Sequence, residues 1–472
     1  MTWHERLSGL DALFLQIEDR TAHMHVGAVF VYEGSLPAYR DLVSLIASRI
    51  ERLPRYRQRL AFVPLNLDRP SWVDESHLDL EYHVRHTALP QPGGDEPLKR
   101  LAARLFSQRL DRDKPLWELW LVEGLGGGRF ATISKTHHCM LDGLAGVELT
   151  MVLHDAEPGR TEPPAARPWT PRPAPDRAAL AAAAVREQLT HPLRLAREAF
   201  DSSTRGRRML LELVGGLKPL VGISLMGRAP ESSLNQPIGP HRRWEMASID
   251  LAAVKRVRKA LGGTVNDVIL AVVAGGVRKL LEARGESPSA DLRALVPVNV
   301  RAPGERGPAH GNQVAAVFCP LPVGEPDAVE RLRKVIGATQ ELKGSGQAVG
   351  ALALTHLREL TPATLATLAT RLDVVTRWFN LVVTNVPGPQ TPLYLLGRKL
   401  VACYPQVPLA RAQTMAIAVL SYHGAIGIGL LGDADKARDL PVLARAIPEA
   451  LEELVARARP ESPSPLTGER AG

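Results

Sequence analysis

The stretch from Arg129 to Leu153 constrains the fold more than any other part of the chain. Arg129-Phe130-Ala131-Thr132-Ile133 alternates apolar with small or polar residues, the period of a half-buried strand. Leu144 to Leu153 is apolar at helical spacing. Between them stands His137-His138-Cys139-Met140-Leu141-Asp142-Gly143, so a strand delivers two histidines to a turn, and an aspartate and a glycine open the next helix. Imidazole takes a proton near neutral pH, which makes a histidine at a strand end a candidate general base. Side chains alternate across a strand, so both histidines cannot serve one substrate. His138 is the expected base, and His137 packs or braces the turn. Two histidines alone are more often a hydrogen-bonded pair that holds a tight turn; the full His-His-x-x-x-Asp-Gly spacing favours chemistry. Asp142 either orients a histidine or pairs with an arginine to hold the turn, and the second suits a helix-opening aspartate. Gly143 permits an unusual backbone angle and a close substrate approach.

Rival chemistries find little support. There is no Gly-x-Ser-x-Gly elbow, and Cys139 reads as a small buried thiol. Adjacent histidines do not converge on one ion as those of His-Glu-x-x-His do, so no metal is expected. No Walker or dinucleotide-binding glycine pattern sits in a strand–helix context. Cys139, Cys319 and Cys403 lack paired spacing, which points to a reducing cytosol rather than a disulfide framework.

At 472 residues the chain exceeds what one core usually supports, so two domains are expected. No apolar run approaches the roughly 18–20 residues that span a bilayer, and Met1-Thr2-Trp3-His4-Glu5-Arg6 lacks the shape of a secretory signal. The net charge of +8 favours contact with polyanions: nucleic acid, an acidic membrane surface or a phosphate-rich ligand. Nucleic acid is the weakest of these, since aromatics are only 5% and no recognition signature appears.

Alternating segments predict strands at Met24–Tyr32, Leu60–Pro64, Leu119–Glu123 and Phe130–Thr136, the last two joined by a glycine-rich hairpin, with an extended segment or strand pair over Trp72–Arg85. Helical spacing runs over Leu42–Leu53 and Pro97–Leu110. Prolines crowd Glu157–Pro175, predicting a linker with little packed structure. His191–Gly227 interleaves apolar residues with arginines and fits either a membrane interface or an ordinary surface helix. The second half predicts strands at Trp244–Leu251, Leu292–Val300, Gln313–Leu321, Val382–Asn385, Leu400–Pro405, Thr414–Leu420 and Ala425–Leu431. Helices are predicted at Leu251–Leu261, from Thr264 to about Ala283, and at Asp327–Lys343, Ala348–Leu360, Pro362–Val375 and Leu440–Arg459. The expected division is 1–156, a crossover at 157–235, 236–459 and a disordered tail at 460–472.

The order of motifs carries a resemblance. His137-His138-Cys139-Met140-Leu141-Asp142-Gly143 is the signature of the superfamily of chloramphenicol acetyltransferase and peptide-synthetase condensation domains. With Leu7-Ser8-Gly9-Leu10-Asp11, Met24-His25-Val26-Gly27, Pro115-Leu116-Trp117-Glu118, Pro240-His241-Arg242-Arg243, Val265-Asn266-Asp267-Val268, Pro297-Val298-Asn299-Val300-Arg301 and Thr384-Asn385-Val386-Pro387-Gly388-Pro389, the chain resembles the bacterial wax ester synthase/diacylglycerol acyltransferases from about residue 5 to 458. The resemblance implies an α/β (α+β) fold of two chloramphenicol-acetyltransferase-like domains with a tunnel between them. Acyl-CoA would be the co-substrate, diacylglycerol or a long-chain alcohol the acceptor, with no cofactor. The protein would be cytoplasmic, with peripheral contact at a membrane or lipid droplet.

In the family pattern His138 matches the base, Asp142 the brace and Arg57 its salt-bridge partner. Asn266 and Asp267 match a second motif near the tunnel, with helix capping as the alternative. Ser421-Tyr422-His423-Gly424 departs from the commoner Ser-Tyr-Asn-Gly, and His423 receives no role. The competing implications are a condensation-type enzyme with another acceptor and a non-catalytic lipid-binding protein, which the intact motif disfavours.

Overall fold

The computed structural model describes residues 5–140, 149–159, 163, 165, 167–200, 227–299, 314–344 and 378–458. Two six-stranded sheets dominate it. The first runs in the order Tyr394–Leu395, Arg398–Gln406, His25–Glu33, Arg129–His137, Trp117–Gly126, Val84–Ala88. Its strands pair antiparallel except for Val84–Ala88, which lies parallel to Trp117–Gly126. The second runs Val314–Leu321, Leu292–Asn299, Leu381–Pro387, Met415–Tyr422, Ala425–Asp433, Arg242–Asp250, with Leu381–Pro387 parallel to both neighbours. A small third sheet joins Glu5–Arg6, Ser71–Asp74 and Gln58–Ala61.

The two faces of the first sheet follow from residue alternation. Ala28, Phe30, Tyr32, Trp117, Leu119 and Leu121 share a cluster with Leu42, Leu45 and Ile46 of the helix Tyr39–Arg49. Val29, Val31, Ala131 and Ile133 point the other way, into a cluster with Leu98, Ala102 and Leu105 of the helix Asp95–Phe106 and with Trp244, Ala416 and Leu431 of the second sheet. The second sheet has its own core under the helix Val265–Ala283, apolar almost all round and hence buried, and the helix Leu440–Arg457.

Several expectations need adjustment. The helix predicted over Leu42–Leu53 is Tyr39–Arg49 followed by a tighter turn at Ile50–Arg52 before Pro54. The helix predicted over Pro97–Leu110 spans Asp95–Phe106. The strand predicted at Leu60–Pro64 is Gln58–Ala61, because the chain turns at Pro64–Asn66. Trp72–Arg85 resolves into the strand Ser71–Asp74, a short helix Leu80–His83 capped by Asp79, and the strand Val84–Ala88. The strand read at Leu400–Pro405 joins the first sheet: Arg398–Gln406 pairs with His25–Glu33. The helices expected at Ala348–Leu360 and Pro362–Val375 and the tail from Pro460 lie outside the described residues.

The two sheets also meet at that strand. A side chain at Gly427 would sit 1.9 Å from the Cys403 carbonyl oxygen, and one at Gly429 1.7 Å from that of Pro405, so only glycine lets the backbones touch. Ion pairs cross the seam nearby: Lys99 to Glu245 at 2.7 Å and Arg411 to Asp19 at 3.0 Å. Arg242 is buried there; its backbone N–H donates to Ser107 Oγ at 2.8 Å, and its guanidinium donates to the carbonyls of Gly239 and Thr21. Burial pushes that guanidinium down to about 10. The Pro240–Arg243 motif is thus a clamp between the halves.

The departure at His423 has a local consequence. His423 and Gly424 form the two-residue turn between Met415–Tyr422 and Ala425–Asp433, with φ of 43° and 84°. Such a turn favours Asn-Gly, since asparagine tolerates the left-handed region better than histidine. His423→Asn is expected to stabilise the protein by about 0.5 kcal/mol, read as a higher urea midpoint.

Candidate active site

The strand Arg129–His137 ends at the first histidine. The backbone N–H of His137 donates to Leu116 O at 2.9 Å, and that of His138 to Met24 O at 2.8 Å. Two of the flanking motifs therefore grip the pair from either side. Met140 N–H then donates to His137 O at 2.9 Å and closes the turn.

The two imidazoles have different surroundings. His137 is buried at 1% exposure. Its Nδ1 accepts the Cys139 N–H at 3.1 Å, which leaves the proton on Nε2, 3.6 Å from a Glu18 oxygen. Burial lowers the His137 pKa, with Glu18 opposing the shift. His138 is half-buried, and its ring stacks on Phe14 with centroids 3.9 Å apart and planes 13° from parallel.

Phe14 and Glu18 come from one short helix, Gly9–Ile17, whose N-cap is Ser8, accepting the Asp11 N–H at 3.1 Å. The Leu7–Asp11 motif is the start signal of that helix. Its far end delivers Glu18, whose side chain is 1% exposed, to a hub. Arg112 donates to one Glu18 oxygen from Nη2 at 2.6 Å and Nε at 3.0 Å, and Arg109 lies 3.5 Å away. His25 Nε2 is 3.4 Å from the other oxygen. Burial would raise the Glu18 carboxyl, but the facing His137 and His25 rings more than offset it and hold the group ionised. His25, wholly enclosed, is pushed down to about 3 and stays neutral. Sequence reading missed Glu18; its only signal is an acid directly after the apolar run Leu13-Phe14-Leu15-Gln16-Ile17.

Two residues before His137 on the same strand, Lys135 is fully buried. Its Nζ donates to the carbonyls of Leu105 and Gln108 at 3.1 Å each and lies 3.2 Å from Glu118. Burial lowers its pKa.

Asp142 and Gly143 lie outside the described residues. Arg57, expected as the partner of Asp142, places its guanidinium 4.6 Å from the centre of the Trp169 ring, and burial lowers its pKa. Trp169 belongs to the proline-rich stretch expected to carry little packed structure. Its described residues form no helix or strand, yet the stretch is fastened along the first half. Arg172 donates to Asp74 from Nε at 2.9 Å, Nη2 at 3.1 Å and its backbone N–H at 3.0 Å. Asp74 is buried, and the Arg172 hydrogen bonds outweigh that burial and lower its pKa. The clasp therefore persists above the unfolded pKa of Asp74 and loosens as pH falls through its folded value. Asp74→Asn should make cleavage of this stretch by a dilute protease several-fold faster, with the rest of the digestion pattern unchanged.

Asp267 is 3% exposed and both of its oxygens are engaged. Oδ2 accepts the Thr264 N–H at 2.8 Å, completing a capping box, and Oδ1 accepts the Thr339 hydroxyl at 2.9 Å. It caps the helix, the alternative raised above. Asn266 Oδ1 accepts from Asn385 Nδ2 at 3.1 Å, which joins the Val265–Val268 and Thr384–Pro389 motifs.

The model of the wax ester synthase/diacylglycerol acyltransferase catalytic domain matches residues 7–269, and that of the C-terminal domain matches 310–455. Among relatives, tgs1 of Mycobacterium tuberculosis, described as a probable diacylglycerol O-acyltransferase, is 35% identical over 457 residues, 95% of this chain and 96% of its own. The similarly described tgs2 of that organism is 33% identical over 458 residues, 94% and 97% of the two chains. The wax ester synthase/diacylglycerol acyltransferase from Marinobacter aquaeolei VT8 superposes with a TM-score of 0.68 at 27% identity, covering 96% of this chain and 99% of its own. The first condensation domain of the CDA synthetase shares the fold, with a TM-score of 0.57 at 17% identity over 97% of both chains.

Proposed function

The chain belongs to the wax ester synthase/diacylglycerol acyltransferase family, and from that premise we propose how it transfers an acyl group from acyl-CoA to the hydroxyl of diacylglycerol, with long-chain alcohols as further acceptors. The observation that carries the mechanism is the division of labour in the histidine pair. His137 is buried with Nδ1 taken by Cys139, whereas His138 is half-buried against Phe14. His138 is therefore the base. It removes the acceptor hydroxyl proton as that oxygen bonds to the thioester carbonyl carbon. The tetrahedral intermediate collapses, the carbon–sulfur bond breaks, and His138 returns the proton to the CoA sulfur.

No acyl-enzyme forms. The oxyanion needs preorganised donors; the backbone amides near Gly143 and the Asn266 amide nitrogen, whose partner oxygen faces Asn385, are the groups assigned that task. One purified preparation given acyl-CoA with diacylglycerol or with a fatty alcohol tests the reading by thiol release. Acceptor-dependent release is expected with diacylglycerol and, more weakly, with the alcohol; no release with either overturns it.

The same reading includes peripheral contact with an acidic lipid surface. The net charge of +8 and the arginines between His191 and Gly227 support it, although residues 201–226 lie outside the described structure. Among the described residues no single helix is long and apolar enough to cross a membrane. Sedimentation with acidic but not neutral vesicles is the expected behaviour.

A further inference from the structure

We propose that a small cavity inside the first half, under the helix Tyr39–Arg49, receives the far end of a substrate's alkyl chain. The inference rests on the acyltransferase reading and adds a subsite to it. The cavity measures about 20 Å³ and opens between Trp117, Leu119, Ser134 and Thr136 of the sheet and Ile46, Ile50 and Leu53 above it, with Leu149 and Leu153 closing one side.

Three observations tie it to the catalytic strand and turn. Ser134 and Thr136 are on the catalytic strand, spaced by two from each other and from His138, so the cavity lies against the face whose row of side chains leads to the base. Met140, in the catalytic turn, packs on the same apolar cluster that surrounds the cavity. Leu149 and Leu153 belong to the segment that follows the catalytic motif, so the motif and the cavity wall are continuous in the chain.

Its chemistry is apolar because its polar neighbours are already engaged. The Thr136 hydroxyl is 3.3 Å from the Tyr56 hydroxyl, the Ser134 oxygen accepts the Ala28 N–H at 3.2 Å, and Glu118 is 3.2 Å from Lys135. A water needs two to four polar partners to be held in such a space. A terminal methyl or methylene group needs none. The volume is far too small for a whole chain, so it acts as an end-stop that meters length rather than as the channel itself.

The chain could belong to the acyl donor or to the acceptor, and the experiment separates them. In the full-length protein, Leu153→Phe fills the cavity and Ile46→Ala enlarges it. kcat/KM is measured across saturated acyl-CoAs from octanoyl to stearoyl with one acceptor, and across primary alcohols of the same span with one acyl-CoA. Each methylene moved out of an apolar site costs roughly fourfold, so the filled variant should lose about 10-fold or more on the longest chains and little on the shortest. The enlarged variant should shift the optimum to longer chains. A shift in the first series assigns the donor tail, and in the second the acceptor tail. Unchanged profiles in both series, or an equal loss at every length, overturn the proposal. If Leu153→Phe does not fold, Ile46→Ala decides on the same readout. Wild-type turnover in the same assays separates failure of this subsite from failure of the activity itself.

Discussion

His138→Ala is expected to lower acyl transfer from acyl-CoA to diacylglycerol by about 10²–10⁴-fold, the usual contribution of a positioned general base, while leaving the unfolding midpoint close to that of the parent. The His138 backbone N–H to Met24 O bond survives the substitution, and the ring that is removed is half-buried, stacked on Phe14. His137→Ala should behave in the opposite way: it empties a buried site, frees the Cys139 N–H and leaves Glu18 facing a void, so loss of stability should accompany any loss of activity. Thiol release together with a urea melt of each variant separates the two roles. Near-parental rates for His138→Ala would sink the mechanism.

Glu18→Ala is expected to cost about 3–5 kcal/mol, the range for removing one partner from a buried ion pair, and thus a large part of a typical domain's stability. Arg112 would keep its charge beside two histidine rings with no carboxylate to answer it. Glu18→Gln should cost less, because it retains shape and one acceptor oxygen for Arg112. The hub also sets an acid limit. His25 titrates near 3 in the fold against 6.5 in an unfolded chain. Between those values the unfolded chain holds a proton that the fold refuses, so stability falls as pH falls, at up to about 1.4 kcal/mol per unit. Glu18 acts with the same sign: its lowered pKa gives stability above the unfolded carboxylate value that fades as the pH drops below it. Urea midpoints in steps from pH 7 to pH 4 should decline below pH 6.5, and less steeply in His25→Phe. A flat profile would contradict the hub.

What could be read from the residues was local. The alternation of Arg129–His137, its hairpin partner and the start of the helix Val265–Ala283 all follow from side-chain period and capping chemistry within a dozen residues. The histidine pair was legible for the same reason. Glu18 was not, because its meaning depends on His25, Arg112 and His137, which reach it only after three separate segments have packed. Nor could periodicity reveal the clasp of Arg172 on Asp74, since a proline-rich sequence carries no helical or strand period for a partner to betray. Strand existence at Leu400–Pro405 was readable; which sheet it would join was not, because both sheets offered an edge.

That strand affects how the protein is made. On the ribosome, His25–Glu33 and Arg129–His137 emerge early, but Arg398–Gln406, the neighbour that completes the sheet beside His25–Glu33, arrives only after most of the chain. At about 5–20 residues per second the interval is roughly 10–50 s. During that time the strand that supports the catalytic turn has an open edge, a template for pairing with other chains. Truncating the gene before Arg398 should therefore yield aggregate rather than a smaller working unit, and slowing translation should prolong the same exposure.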